Sequence, residues 1–358
     1  MFTRSVALRC VVVAAAVLMA SASLATITAT PFNPNLATTQ SGKDGDSGAN
    51  GYMGWINGSI RDSSYQHIGN NIYPWREDRW DVAPQTIGAF LFDSTDRAYG
   101  GTIYVDTVGN GVYTKLTDFA VATGNSSVQV DVTALLGNTK VYGTKVVINQ
   151  ALGGLDSNYY QIGHMTILER PFVNEAFGAK TINTAPASAS GSVTDNSIQT
   201  EWRAYNTAWG GNIPTESWGG FVVENGTIDV DGFRVSTGSK DGTTWTWQDY
   251  TVQILLDGDW HDDANWVSVS TANPANTAGK SLHWYDFGET VTLKGIRLYG
   301  CSILDDDGEV ISYGNNPLAN NGKIVEEILA YRWLPPVPEP ATMSLLALGG
   351  LALLRRRK

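Results

Sequence analysis

The chain has 358 residues, room for about two domains, and its 42% apolar and 16% charged composition is enough to bury a core. Setting aside Arg4, Arg9, Glu339 and the terminal Arg355, Arg356, Arg357 and Lys358 leaves 18 basic and 34 acidic residues, a net of −16. A body that acidic repels phosphate backbones, which excludes nucleic acid as a natural partner, and 38 glycines with twelve tryptophans favour turn-rich β structure over a helical bundle.

Residues 1–25 read as a secretory leader. Arg4 and Arg9 form its basic start, Val11 to Ala20 its apolar stretch, and Ser23-Leu24-Ala25 a small-residue cleavage site. The apolar run is too short to span a bilayer comfortably. Cys10 leaves with the leader, so Cys301 is the single cysteine of the mature chain and no intramolecular disulfide can form. Cys301 reads as a small buried hydrophobe.

From residue 26 onward helical periodicity is almost absent. Short apolar or alternating runs broken by Gly, Asn, Asp and Ser predict an all-β body of one or two jelly-roll β-sandwiches. In the first half, 26–170, strands are expected at 86–92, 101–106, 127–132 and 145–149. Tyr73-Pro-Trp75-Arg-Glu-Asp-Arg-Trp80 falls outside any regular strand pattern and reads as an aromatic loop. Pro171 closes this half, and 171–193 reads as a linker because 184–191 is small and flexible in composition. The second half, 194–334, carries strand patterns at 250–256, 266–270, 281–287, 292–299 and 324–331. The two halves look related: 144–148 resembles 294–298, and 164–169 resembles 326–331.

Carboxylates are abundant, but no set has catalytic or metal-binding spacing. Asp257-Gly-Asp-Trp-His-Asp-Asp263 fails as a calcium loop of the EF-hand type, with Asp262 at the sixth position and Ser268 at the twelfth. His67, His164, His261 and His283 are scattered, without the clustering zinc needs. No Gly-x-Ser-x-Gly, phosphate loop or dinucleotide fingerprint is present, so a non-catalytic protein is expected. Loop aromatics are more suggestive, because a sugar needs an apolar face to stack on beside polar groups for its hydroxyls. Trp75, Trp80, Trp209, Trp218, Trp260 and His261 are the candidate ligand-binding residues; the competing reading is that these rings plug the sandwiches.

The C-terminus holds the most specific pattern. Val337-Pro338-Glu339-Pro340 precedes an apolar run from Ala341 to Leu354 and the basic cluster Arg355-Arg356-Arg357-Lys358. Fourteen helical residues reach only about 21 Å, short of a hydrocarbon core of about 30 Å, so the run is a marginal anchor. The basic cluster keeps its end cytoplasmic and the body outside. Residues 335–358 resemble the PEP-CTERM sorting signal of bacterial envelope proteins. That resemblance implies recognition by an exosortase-type processing enzyme, removal of the tail, and release or attachment at the cell surface of an exopolysaccharide-making bacterium. Membrane contact would then be only transient.

The second half resembles discoidin-like domains (coagulation factor 5/8 type C, galactose-binding-like). The resemblance rests on 194–202 as the opening, 249–253 with Asp257-Gly258 and 265–269 as the central hairpin, Gly295-Ile296-Arg297-Leu298, and the closing 324–331. Asn196 stands where the family usually has glycine. The first half matches more loosely, through 55–59 and 86–88. The resemblance implies a carbohydrate or other glycan ligand held on loops, and a structural Ca²⁺ ligated by Asp195, Thr200 and Glu326, with Glu327 the alternative to Glu326. Two rival functions stay open beside a carbohydrate-binding module: a structural or adhesive envelope protein, and a secreted glycan-active enzyme.

Overall fold

The structure, a computed structural model, describes residues 27–36, 39–43, 66–67, 75–80, 83–94, 99–121, 127–148, 159–160, 162–183, 194, 202–204, 218–237, 251–270, 281–299 and 323–335. Its first strands are β1 (Thr30–Phe32), β2 (Thr39–Lys43), β3 (Gln66–His67), β4 (Trp75–Arg79), β5 (Ala89–Ser94), β6 (Tyr99–Asp106), β7 (Thr114–Val121) and β8 (Ser127–Asp131). After the one-turn helix α1 (Thr133–Leu136) come β9 (Gly143–Ile148), β10 (Tyr159–Tyr160), β11 (Ile162–Leu168), β12 (Phe172–Asn174), β13 (Lys180–Asn183) and β14 (Trp202–Ala204). The rest are β15 (Trp218–Val222), β16 (Ile228–Thr237), β17 (Thr251–Leu255), β18 (Trp266–Ser268), β19 (Ser281–Leu293), β20 (Gly295–Tyr299) and β21 (Lys323–Trp333). The all-β sandwich expectation holds, and each of the nine expected strands is found, with ends shifted.

Two sandwiches result. The first pairs a five-stranded outer sheet, β2-β4-β9-β6-β7, with a three-stranded inner sheet, β11-β5-β8. The second pairs the outer sheet β13-β15-β20-β17-β18 with the inner sheet β1-β19-β16-β21-β12, to which β14 adds at β21. Strand alternation builds each core, since successive side chains point to opposite faces. Phe90, Phe92, Ile103, Val146, Ile148, Met165 and Ile167 fill the first. Phe233, Val235, Val252, Ile254, Ile296, Leu298, Ile328 and Ala330 fill the second.

The halves share one strand order. In chain order β2, β4, β5, β6, β7, β8, β9 and β11 occupy the places of β13, β15, β16, β17, β18, β19, β20 and β21. Within this frame the match of 144–148 to 294–298 is in phase: Val146 and Ile296 both face their cores. The match of 164–169 to 326–331 is one residue out. Phe92 pairs with Met165 as Val235 pairs with Ile328, so Met165 corresponds to Ile328 rather than Glu327. A slip of one residue in a strand turns every side chain to the wrong face, and with both faces of these strands buried the pattern carries no mark of phase.

Both faces are buried because the two inner sheets pack on each other. Ala89, Leu91 and Leu168 of the first meet Trp284, Leu329 and Tyr331 of the second, with Phe172 beside them. The four sheets therefore stack as outer, inner, inner, outer. At the centre of this interface Arg234 reaches across from β16: its Nη1 donates to both oxygens of Asp93 at 2.9 Å and its Nη2 to Glu327 at 2.5 Å. Ser127 Oγ donates to Asp93 at 2.6 Å. The Arg234, Asp93 and Glu327 side chains are wholly buried.

Chain segments cross between the halves. β1 lies early in the sequence yet pairs with β19, while Leu36, a few residues later, donates its backbone N–H to Ile167 O. Within 171–193, the stretch read as linker, β12 pairs with β21 and β13 with β15. Residues 184–191 lie outside the described residues. The aromatic loop expected at 73–80 is corrected too: Trp75–Arg79 is strand β4. Its charges hid the alternation, because Arg76 and Asp78 form a buried ion pair at 2.8 Å inside the first sandwich.

Candidate functional site

The outer face of the second outer sheet is aromatic and carries one buried cation. Phe221, Val252, Ile254, Ile296 and Leu298 turn to the core, so their neighbours Trp218, Gly220, Gln253, Arg297 and Tyr299 turn outward. Gly220, Arg297, Gln253 and Ser268 lie in register across four strands. The Arg297 guanidinium lies 4.4 Å from the Trp266 ring centroid and 5.0 Å from those of Trp218 and Tyr299. Its Nε donates to Gln253 and its Nη1 to Asp263, both at 2.8 Å.

Two glycines make this packing possible. A Cβ on Gly220 would lie 2.0 Å from Ile296 O and 2.6 Å from Arg297 Cα, and one on Gly295 would press the Trp266 ring at 3.3 Å. Arg297 is only 1% exposed. Burial lowers its pKa, and the partly compensating charge is Asp263; at any physiological pH it stays a cation.

The loop from β17 to β18 forms the rim. Asp259 Oδ1 accepts from the His261 backbone N–H at 3.1 Å and meets His261 Nδ1 at 2.7 Å. Asp262 caps the 3-10 turn Asp263–Asn265 by accepting from Ala264 N–H. Asp257 takes Lys294 Nζ at 2.5 Å. The acidic run is thus spent on its own loop and its neighbours, and two of its carboxyls sit below their ordinary range, Asp257 chiefly through Lys294 and Asp259 chiefly through the His261 N–H. On this rim the Trp260 ring stacks on His261, centroids 3.6 Å apart, and meets Trp218 edge-on at 6.3 Å. Trp266 Nε1 donates to the backbone carbonyl of Trp260 at 3.0 Å, tying the Trp266 indole to the rim loop.

Three of the six expected ligand residues, Trp218, Trp260 and His261, therefore converge here. Trp75 does not join them. It stands half-buried on the outer face of the first sandwich, with Lys145 Nζ 4.5 Å from its ring centroid. Trp80 is corrected outright: it is 5% exposed in the first core and its Nε1 donates to Leu36 O, so no ring face is left for a sugar. Trp209, Asp195, Thr200, Val337, Pro338, Glu339, Pro340, Arg355, Arg356 and Arg357 lie outside the described residues, as does the Glu326 side chain. Glu327, its alternative as a calcium ligand, is committed to Arg234 in the buried interface.

Arg297, Trp266, Tyr299 and Gln253 were missed as site residues. An arginine between Ile296 and Leu298 reads as a solvated strand position; the signal that could have singled it out is Gly220 opposite it, whose lack of a side chain lets the Arg297 strand close in. Lys180, 5.8 Å from the Trp260 ring centroid, also borders a cavity of about 380 Å³ lined by Glu175, Phe177, Val223 and Glu224. Among the described residues no group of three or more His, Cys, Asp or Glu is placed to hold a metal ion. No helix among them is long and apolar enough to cross a membrane.

Residues 336–358 match the PEP-CTERM protein-sorting motif, so the chain carries at its C-terminus the signal of exported, envelope-associated proteins. No curated protein sequence matches the chain. Among solved structures, the CBM32-1 and CBM32-2 domains of Clostridium perfringens ZmpB, in complex with GalNAc, align over 84% of this chain and 91% of theirs, at 10% identity and a TM-score of 0.30. The family 32 module of C. perfringens NanJ, in complex with galactose, aligns over 43% of this chain and 93% of its own, at 12% identity and TM-score 0.30. Allantoicase of Saccharomyces cerevisiae aligns over 75% and 80%, at 11% and 0.26. Likenesses at this level carry no ligand or activity over to this chain.

Proposed function

We propose that the protein is a non-catalytic, exosortase-processed surface or matrix protein that binds carbohydrate through the aromatic face of its second sandwich. The observation that carries this reading is the partly exposed Trp260 indole, stacked on His261 and set beside Trp218, Lys180 and the Arg297–Asp263 pair. An indole face takes the C–H face of a pyranose, while neighbouring carboxylate, amide and cationic groups take its hydroxyls. The sorting motif supplies the destination: export, a temporary C-terminal anchor, then release or attachment at the cell surface.

A structural Ca²⁺ near Asp195, Thr200 and Glu326 belongs to the same proposal. Thr194, next to the first of these, is buried, with its Oγ1 donating to Ala179 O at 2.8 Å and its carbonyl accepting from Gly178 N–H. A firmly held residue at that position would give an ion a fixed start to its loop.

A purely structural role for the cluster has one observation in its favour, the near-complete burial of Arg297 among its rings. A glycan array decides between the two. Residues 26–338 are screened with and without calcium, and hits are repeated with Trp260→Ala and Trp75→Ala. Binding lost with Trp260→Ala supports the carbohydrate reading; a folded sample that binds nothing supports the structural one. Loss of binding or of thermal stability in EDTA supports the ion.

A further inference from the structure

The last strand of the body runs almost directly into the sorting motif. Trp333 donates its backbone N–H to Asp231 Oδ2 and Leu334 donates its own to Pro171 O, both closing on the body. The motif begins at residue 336. Only residues 335–340 lie between Leu334 and Ala341, where the apolar run starts. Fully extended, that stem spans at most about 25 Å, and its prolines favour an extended form rather than a slack coil. A compact body of roughly 300 residues is about 50 Å across. The stem is shorter than the body, so an anchored body has no room to turn over.

We infer that, while anchored, the protein sits on the membrane with its β12–β21 end nearest the lipid surface. The inference rests on the anchoring reading above. The stem leaves from the middle of the stack, because Trp333 packs at the rim of the interface between the two inner sheets and pairs with Phe172 there. The outer faces, with Trp75 on one and Trp260 on the other, flank this exit and neither is the end from which the stem leaves. Charge does not set the orientation: Arg170 and Arg332 near this end are offset by Glu169, Asp229 and Asp231 in the same stretch of strands. The stem length sets it, with the lipid surface as the partner.

The test uses the full chain in phosphatidylcholine vesicles containing a minor share of phosphatidylglycerol. With Cys10→Ser and Cys301→Ser as background, a fluorophore is attached at Val173→Cys, on the edge strand beside Trp333, or at Val267→Cys, on the far outer sheet; the two sites are similarly exposed, at 39% and 40%. Quenching by headgroup-nitroxide lipid is expected to be at least threefold stronger at 173 than at 267. Inserting twenty Gly and Ser residues between Pro335 and Pro336 is expected to bring the two sites to near equality. Vesicle association with equal quenching in the native chain overturns the orientation alone. A chain that does not associate with vesicles overturns the anchoring reading, and the orientation with it.

Discussion

Arg234 and Asp93, 141 residues apart in sequence, meet through paired 2.9 Å contacts where the inner sheets of the two sandwiches touch. Burial opposes charge on Arg234, but Asp93 and Glu327 outweigh it and its pKa rises. Removing one member strands the others in a dry interface. Asp93→Ala or Arg234→Ala is therefore expected to cost about 3–5 kcal/mol, whereas replacing Arg234, Asp93 and Glu327 together by Met, Leu and Leu is expected to recover most of it. Urea unfolding checks both, and a shared interface of this kind predicts one transition rather than two.

The histidines give the protein an acid limit. Burial holds His164 at about 4, against the pull of Asp93, and burial alone does the same to His283. Unfolded, each takes up a proton near pH 6.5, so between these values the unfolded chain binds more protons. Their contribution to stability is complete above about pH 6.5 and is lost as pH falls towards 4, on the order of 1–3 kcal/mol each. Urea midpoints measured across that window should fall with pH, and His164→Gln should flatten the slope.

Trp80 and Trp260 separate packing from binding. Trp80→Ala empties a core site and should cost about 3–5 kcal/mol. Trp260→Ala removes a partly exposed ring and should cost under about 2 kcal/mol while abolishing glycan binding. Thermal melts beside array binding check the pair; equal destabilisation by both would sink the assignment of Trp260 to a ligand face.

Gly220→Ala tests the glycine-lined seat of Arg297. The added methyl has no room between Ile296 O and Arg297 Cα, so a loss of about 1–3 kcal/mol is expected. Arg297→Lys keeps the charge but loses the flat guanidinium that fits between Trp218 and Trp266. It is expected to weaken glycan binding severalfold with little change in fold, read by titration against the best array ligand.

Much of the fold was legible because most core strands alternate plainly. Tyr250 to Leu256 and Thr292 to Tyr299 could be read at once. β16 and β4 could not. In each, the charges that obscure the pattern are neutralised by partners distant in sequence or two residues along: Arg234 by Asp93, Arg76 by Asp78. The site was half legible. Trp218, Trp260 and His261 stood out as loop aromatics, but Trp80 looked the same and is core. What brings the first three together is register across four strands, with Gly220 opposite Arg297, and one-dimensional spacing does not encode that.

The shared strand order has a consequence for the interface charges. Asp93 corresponds to Ser236, Leu91 to Arg234 and His164 to Glu327, by the pairing that matches Met165 with Ile328. If two identical copies met through this face about a twofold axis, every contact would occur twice, and so would each desolvated ion pair. Joined in one polypeptide, the halves are free to differ. One side can hold the carboxylate and the other the guanidinium, once, while the mirror positions become leucine and serine. The chain is in effect its own heterodimer, with this charged face closed inside it.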